Sequence, residues 1–253
     1  MDKKSTGEQV DQIKKVFSRP SFSAQIVSFT CITEMEIINS ILPPLLLPPV
    51  QPVMMISAFD MDSNCVGRFQ GASFWLSCRY GESNGWYCFS MPVNSDSALI
   101  FGREIYSEPK KMAEVVFEQS WKEVNASVKR MGKEIVKMQA GKQKPLDPVD
   151  TGFTAFHFKY SFLPDGSGFA YGPFLVAVEN EQKNELVYAC DGEIKLFGSE
   201  FDPVADLKIV RLKQVRYFKG HLTTCGKILS PVEPEKFWPY LFPRMDNPLL
   251  WEV

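Results

Sequence analysis

From Val53 onward the chain is cut into short runs of aromatic and β-branched residues by clusters of glycine, proline, asparagine and serine. Such runs suit a pleated, half-buried surface, and the clusters between them supply turns. That segmentation excludes a helical bundle. Strands are predicted at residues 53–59, 73–79, 86–91, 98–101, 154–162, 174–178, 186–190 and 193–197. Residues 81–85 and 165–168 are read as turns. Residues 207–229 read as one long strand or a bulged pair. The composition agrees, since 20 Phe, 18 Pro and 16 Gly in 253 residues favour many short strands. The expected class is mainly β (α+β) with a few short helices, and all-β chains of this length often form one domain.

Three segments depart from the strand pattern. Val10, Ile13, Val16 and Phe17 follow a helical spacing. Residues 33–42 read as a helix, with Thr33 as cap, Glu36 completing a capping box and Pro43-Pro44 as the stop. Residues 234–241 suggest a last helical turn or two. A fourth segment is ambiguous. Trp121, Val124, Val128, Met131, Ile135 and Met138 form a helical stripe, which periodicity favours. The competing reading is a hairpin of residues 124–130 and 133–139 around Met131-Gly132, because glycine weakens a helix and suits a tight turn.

Residues 1–18 contain no apolar run of the kind a signal peptide needs. The longest apolar stretch, 38–58, is interrupted by Pro43, Pro44, Pro48, Pro49 and Pro52, which argues against a spanning helix. Cys31, Cys65, Cys78, Cys88, Cys190 and Cys225 show no CxxC and read as reduced thiols, so a cytoplasmic location is expected. Asn125-Ala126-Ser127 has the form of a glycosylation acceptor, without meaning for a chain outside the secretory route. A net charge of −2, from 28 Lys+Arg against 30 Asp+Glu, gives no reason to expect a polyanionic partner. The basic run Lys129, Arg130, Lys133, Lys137, Lys142 and Lys144 lacks interleaved aromatics and reads as a solvated face, not a nucleic-acid site. No nucleic-acid or membrane partner is expected. Gly166-Ser167-Gly168 is too short for a phosphate loop. His157, His221 and Cys225 are too few and too scattered for a metal site and read as structural, so no metal is expected.

One stretch carries more. Residues 98–112 run from a predicted strand into Gly102-Arg103-Glu104-Ile105-Tyr106, followed by Pro109-Lys110-Lys111. On spacing alone this is a polar loop with two surface lysines. The full string Gly-Arg-Glu-Ile-Tyr-x-x-Pro-Lys-Lys, however, resembles the signature of the acetoacetate decarboxylase family. In that family the first lysine forms a Schiff base with the substrate ketone, and the second is its neighbour and helps set its pKa. The resemblance therefore implies Lys110 as the Schiff-base residue and Lys111 as its companion. Tyr80-Gly81-Glu82 stands where the family has a Tyr-x-Glu whose carboxylate lies in the active site, which implies a catalytic role for Glu82, although the segment from Glu82 to Gly102 is shorter than in the decarboxylases. The segment 33–44, the Gly-turn region 129–138, Phe201-Asp202-Pro203 with Asp206-Leu207, and residues 234–241 are also similar, so the match runs over roughly 20–242. It reverses the helix preference at 121–138 in favour of the hairpin. The implied architecture is one domain over 1–253, a closed antiparallel β-barrel or cone with peripheral helices and an N-terminal helical extension over 1–19. It also implies a homo-oligomer, an active site inside the barrel, a small-molecule carbonyl substrate and no cofactor.

The chemistry accounts for the residue types. Loss of CO₂ from a β-keto acid needs an electron sink, and a primary amine provides one by condensing to an iminium. The amine must be neutral to attack, yet only about one free lysine in a few thousand is neutral at pH 7. Acetoacetate decarboxylase is itself a known case of lysine activation by an apolar pocket or a neighbouring cation. If Lys110 and Lys111 continue a strand, they point to opposite faces, so Lys111 acts only at a distance and desolvation is the larger effect. Glu82 would orient water or substrate or move the proton to the enamine. Arg103 and Glu104 read as a structural charge pair at the strand end. Two departures stand out. The family's arginine before the first helix, which engages the acid substrate, falls at or near Ala24, and no arginine lies between Arg19 and Arg68. Glu108 also precedes Pro-Lys-Lys, where a carboxylate disfavours a small acid anion and favours a protonated lysine. Both departures count against acetoacetate and suit a larger or neutral carbonyl compound, of polyketide-like or aromatic kind. The rival expectation is a barrel that binds such a compound without turnover.

Overall fold

Along the first strand, β1 (Ser21–Ile32), the side chains alternate: Val27, Phe29 and Cys31 are wholly buried on one face, while Phe22, Ala24, Ile26 and Ser28 lie on the other. This two-residue period builds two separate apolar surfaces from one sheet. The structure is a computed structural model and describes residues 4–251. The other strands are β2 (Val53–Ser63), β3 (Gly67–Tyr80), β4 (Ser83–Val93), β5 (Lys110–Met112), β6 (Glu114–Gln119), β7 (Glu123–Arg130), β8 (Lys133–Leu146), β9 (Thr151–Phe162), β10 (Phe169–Leu196) and β11 (Arg211–Pro231). The helices are α1 (Gly7–Ser18), α2 (Met35–Ile41), α3 (Asp96–Phe101) and α4 (Pro234–Phe237). The fold is thus mainly β with a few short helices, as expected.

Pairing runs β11-β1-β2-β3-β4-β9-β10, and β10 also pairs with β11, so the path returns on itself. β10 carries this double pairing because it is long: its first half pairs with β9 and its second half with β8, while β11 runs beside both. β8-β7-β6 continues the sheet beyond the ring of pairings. One face of the strands, with residues of β6, β7 and β8, forms the larger core around Phe29, Ile56, Phe74, Met138 and Phe156. The opposite face gathers Phe22, Phe59, Phe69, Trp75, Met91 and Val178 around a cavity.

The structure bears out one local expectation and corrects three. Residues 121–138 form no helix but the β7–β8 hairpin, turning through Met131 (φ 51°) and Gly132 (φ 76°), so the resemblance prevails over the periodicity. Each strand buries alternate residues, and the three-four stripe is a coincidence of that pattern with the turn. Residues 98–101 are not a strand but part of α3, whose first turn is capped by the Ser95 hydroxyl accepting from the Ala98 N–H. The separate strands predicted at 174–178, 186–190 and 193–197 are one strand, β10. Gly192 breaks nothing there and instead lets the Gln139 carbonyl and the Phe29 ring come close. Thr33 caps no helix either: its hydroxyl donates to the Leu207 carbonyl, and Glu34 stands at the cap position without a side-chain hydrogen bond. All six cysteines are free thiols. Among the described residues, no helix is long and apolar enough to cross a membrane.

Candidate active site

α3 leads into a π-helical turn, Gly102–Tyr106, which Ser107 ends in the left-handed conformation (φ 58°). The Glu108 N–H then donates to the Gly102 carbonyl at 3.1 Å, and the chain enters β5. That short strand runs parallel to β4, with Met91 opposite Lys110 and Pro92 opposite Lys111. The Pro-Lys-Lys motif is therefore extended backbone held against a central strand, and neither lysine is a surface residue: Lys110 is 6 % exposed and Lys111 9 %.

Lys110 enters a cavity of about 300 Å³ to which all seven strands of the ring contribute. Its walls are mostly apolar, with Phe22, Phe59, Phe69, Trp75, Trp86 and Phe153 prominent. Lys110 Nζ lies 2.7 Å from Glu108 Oε2 and 5.4 Å from the centroid of the Phe69 ring. Gly102 makes room for this pair, since a Cβ there would fall 2.2 Å from Glu108 Oε2 and 2.6 Å from Lys110 Nζ. His157 lines the same cavity, 2 % exposed, with its ring edge-on to Trp75 at 6.0 Å and no hydrogen-bond partner at Nδ1. Burial pushes the His157 pKa down to about 4, the Lys110 charge pushes the same way, and the Glu108 carboxylate opposes both. His157 is thus a neutral imidazole facing the cavity. Tyr106, also in the lining, accepts from the Thr224 hydroxyl at 2.9 Å.

Lys111 points to the other face, as an extended strand requires. It forms an ion pair with Asp246 at 3.0 Å and lies at the edge of a second, separate cavity. Arg130 completes the cluster, 2.7 Å from Asp202 and 2.5 Å from Asp246. Burial lowers the Lys111 pKa and outweighs the opposing pull of Asp246. The Asp246 carboxyl is pushed up by burial but held below the usual carboxylate range by hydrogen bonds from Arg130 and Lys111. Lys111 is therefore locked into a buried charge network and does not line the Lys110 cavity.

Glu82 is not brought to Lys110. It sits exposed in the two-residue turn that joins β3 and β4, where Tyr80 pairs with Ser83, and it does not line the cavity. The carboxylate beside the amine is Glu108, which the sequence marked only as a departure. Arg103 and Glu104 are not a strand-end pair: both lie on the π-helical turn, and Glu104 lies 3.9 Å from Arg244. His157 was read from sequence as structural, and no local signal reveals its position, because register across β9 alone brings it to the cavity. Ala24 is buried in β1, so no guanidinium occupies that position. Among the described residues, no three His, Cys, Asp or Glu side chains gather to hold a metal ion.

A largely buried amine, an adjacent carboxylate and a neutral imidazole in one aromatic-walled cavity define a protein equipped to engage a carbonyl compound covalently. The chain belongs to the acetoacetate decarboxylase family, whose model matches residues 7–231. Its fold is similar to that of acetoacetate decarboxylase from Legionella pneumophila, at 20 % identity and a TM-score of 0.77 over 85 % of this chain and 88 % of that one. It is also similar to the enduracididine biosynthesis enzyme MppR, solved with the condensation product of pyruvate and imidazole 4-carboxaldehyde, at 15 % identity and a TM-score of 0.73 over 84 % and 89 %. An acetoacetate decarboxylase-like enzyme from Sphingomonas wittichii RW1 matches at 13 % identity and a TM-score of 0.73, over 85 % and 93 %. Comparison with curated protein sequences gave no match.

Proposed function

We propose that this protein is a Schiff-base enzyme in which Lys110 condenses with the carbonyl group of a small-molecule substrate, without a cofactor. The observation that carries the proposal is the Lys110–Glu108 pair, 2.7 Å apart inside an aromatic-walled cavity. At that distance the two side chains are placed to exchange a proton. Glu108 can then take the lysine proton. The free amine attacks the carbonyl carbon, and a C–N bond forms while the carbonyl oxygen receives that proton. Loss of the resulting hydroxyl as water leaves the iminium. His157, neutral and unpartnered at Nδ1, can accept the hydrogen bond of the intermediate's hydroxyl.

With a β-keto acid, the bond to the carboxyl carbon breaks, CO₂ leaves and its electron pair forms the enamine. The enamine carbon is protonated and water releases Lys110. The same iminium supports a second reading, aldol, dehydration or cyclisation chemistry, favoured by the likeness to MppR with its condensation product. The reading treats the ring of pairings as a closed barrel with the site in its interior, and the assembly as a homo-oligomer. Lys110→Ala tests the reading: a borohydride-stable adduct with a ketone should form on the wild type and vanish in the variant.

A further inference from the structure

We infer that the end of the cavity remote from Lys110 is a second binding site, in which Arg216 and the serine row Ser28, Ser57 and Ser73 hold the carboxylate of an elongated carbonyl substrate. This rests on the Schiff-base reading above and narrows its substrate class.

Strand register places the two ends. Phe69, over which Lys110 Nζ lies, pairs with Met61, which pairs with Ala24. Four residues further along each strand, Ser73 pairs with Ser57, Ser57 with Ser28, and Ser28 with Arg216 of β11. At the rise of an extended strand that separation is about 13 Å. Ser28, Ser57, Ser73 and Arg216 all line the cavity, and among the described residues Arg216 is the only arginine that does.

The polar groups of this row are arranged as donors. Ser57 Oγ donates to Ser28 Oγ at 3.1 Å, and Trp75 Nε1 donates to Ser73 Oγ at 2.7 Å. Each serine is buried, at 7, 5 and 4 % exposure in sequence order. The hydroxyl protons of Ser28 and Ser73 find no acceptor among the described residues, and Arg216 has no carboxylate partner there. Each of these hydroxyls already has one partner, and the protons of Ser28 and Ser73 are left to donate to a ligand. Two spare O–H groups beside a guanidinium fit a carboxylate. The guanidinium that faces the cavity, Arg216, stands on β11 beside Ser28, four residues along the strands from the level of Phe69 and Lys110. With about 13 Å of strand between the two levels, an acid longer than acetoacetate suits this arrangement.

The test needs no knowledge of the natural substrate. The first measurement is equilibrium binding of a saturated linear carboxylate and of its methyl ester to wild type, Arg216→Ala and Arg216→Lys. The second is borohydride trapping on Lys110 of a methyl ketone with a terminal carboxylate at the end of about eight methylenes, a length chosen to span that gap. The acid should bind roughly ten- to a hundredfold tighter than the ester, as expected for hydrogen bonds to a charged group. Arg216→Ala should abolish the preference and Arg216→Lys keep part of it. Acid and ester binding alike, or a preference that survives in Arg216→Ala, overturns the second site even if ketones are trapped on Lys110. Arg216-dependent acid binding without any trapped ketone upholds the site and overturns the Schiff-base chemistry instead.

Discussion

Glu108 decides how Lys110 behaves. A carboxylate 2.7 Å from an amine can hold it protonated, or it can serve as the base that frees it. In the proposed reaction Glu108 takes the second role, as the proton acceptor at hydrogen-bond distance. Glu108→Gln should therefore slow adduct formation by about 10²-fold or more, the usual contribution of a positioned proton acceptor. A faster reaction in the variant would mean that Glu108 only restrains the lysine. Gly102→Ala probes the same pair sterically. The added methyl would meet the Glu108 carboxylate and the Lys110 Nζ and Cδ, side-chain atoms that can shift, so melting temperature should change little while trapping slows because amine and carboxylate are pushed apart. Unaltered trapping would show that the pair's spacing does not matter. Lys111 plays another part. Its ammonium is bound into the Arg130, Asp202 and Asp246 cluster, so Lys111→Ala should lower stability by about 3 kcal/mol, as breaking a buried pair does, yet still give an adduct on Lys110. At this scale the motif made both lysines legible in the sequence. The partner of Lys110 is not legible there, because a local string does not show which carboxylate folds back: Glu108 does, and Glu82 lies in an exposed turn.

At the scale of elements, the sequence was clearest where turn chemistry and alternation agreed. β2, β3, β4 and β9 contain the strands expected from their aromatic and β-branched runs, and each is longer than the pattern alone suggested. It was least clear at 121–138, where a helical stripe and a hairpin share the same residues. The backbone at Gly132, φ 76°, settles that choice, since glycine takes the left-handed conformation without penalty. Gly132→Ala should cost about 1–2 kcal/mol in a denaturant titration, the penalty for a side chain in that region. No loss would mean that the turn tolerates a Cβ and that strand pairing alone sets it. Along β10 the expected breaks fail for other reasons: the polar run 179–185 is paired strand with a register shift between Asn184 and Leu186, and Gly192 marks a close approach.

At the scale of the whole molecule, the cavity was beyond the reach of the sequence. It exists only because seven strands place every second residue at one space, so His157 and Arg216 become neighbours of the site through register. Burial of His157 has a consequence for the molecule's response to acid. Its folded pKa, about 4, lies below the unfolded value near 6.5, so its neutral form contributes stability that is complete above pH 6.5 and is lost as pH falls towards 4. That loss amounts to about 3 kcal/mol. Unfolding free energies measured across this interval should fall less steeply in His157→Gln by about that amount, and an identical slope would mean that the imidazole is not held neutral. The aromatic richness of the chain has a place at this scale too, in the walls of the cavity around the amine.

The central claim is that Lys110, and no other lysine, carries the chemistry. The direct measurement is incubation with a panel of methyl ketones and β-keto acids, reduction with borohydride, and peptide mapping by mass spectrometry. The account predicts one reduced adduct, on Lys110, absent from a folded Lys110→Ala protein and still present in Lys111→Ala. An adduct on Lys111, or none on Lys110 with any carbonyl compound, would contradict it.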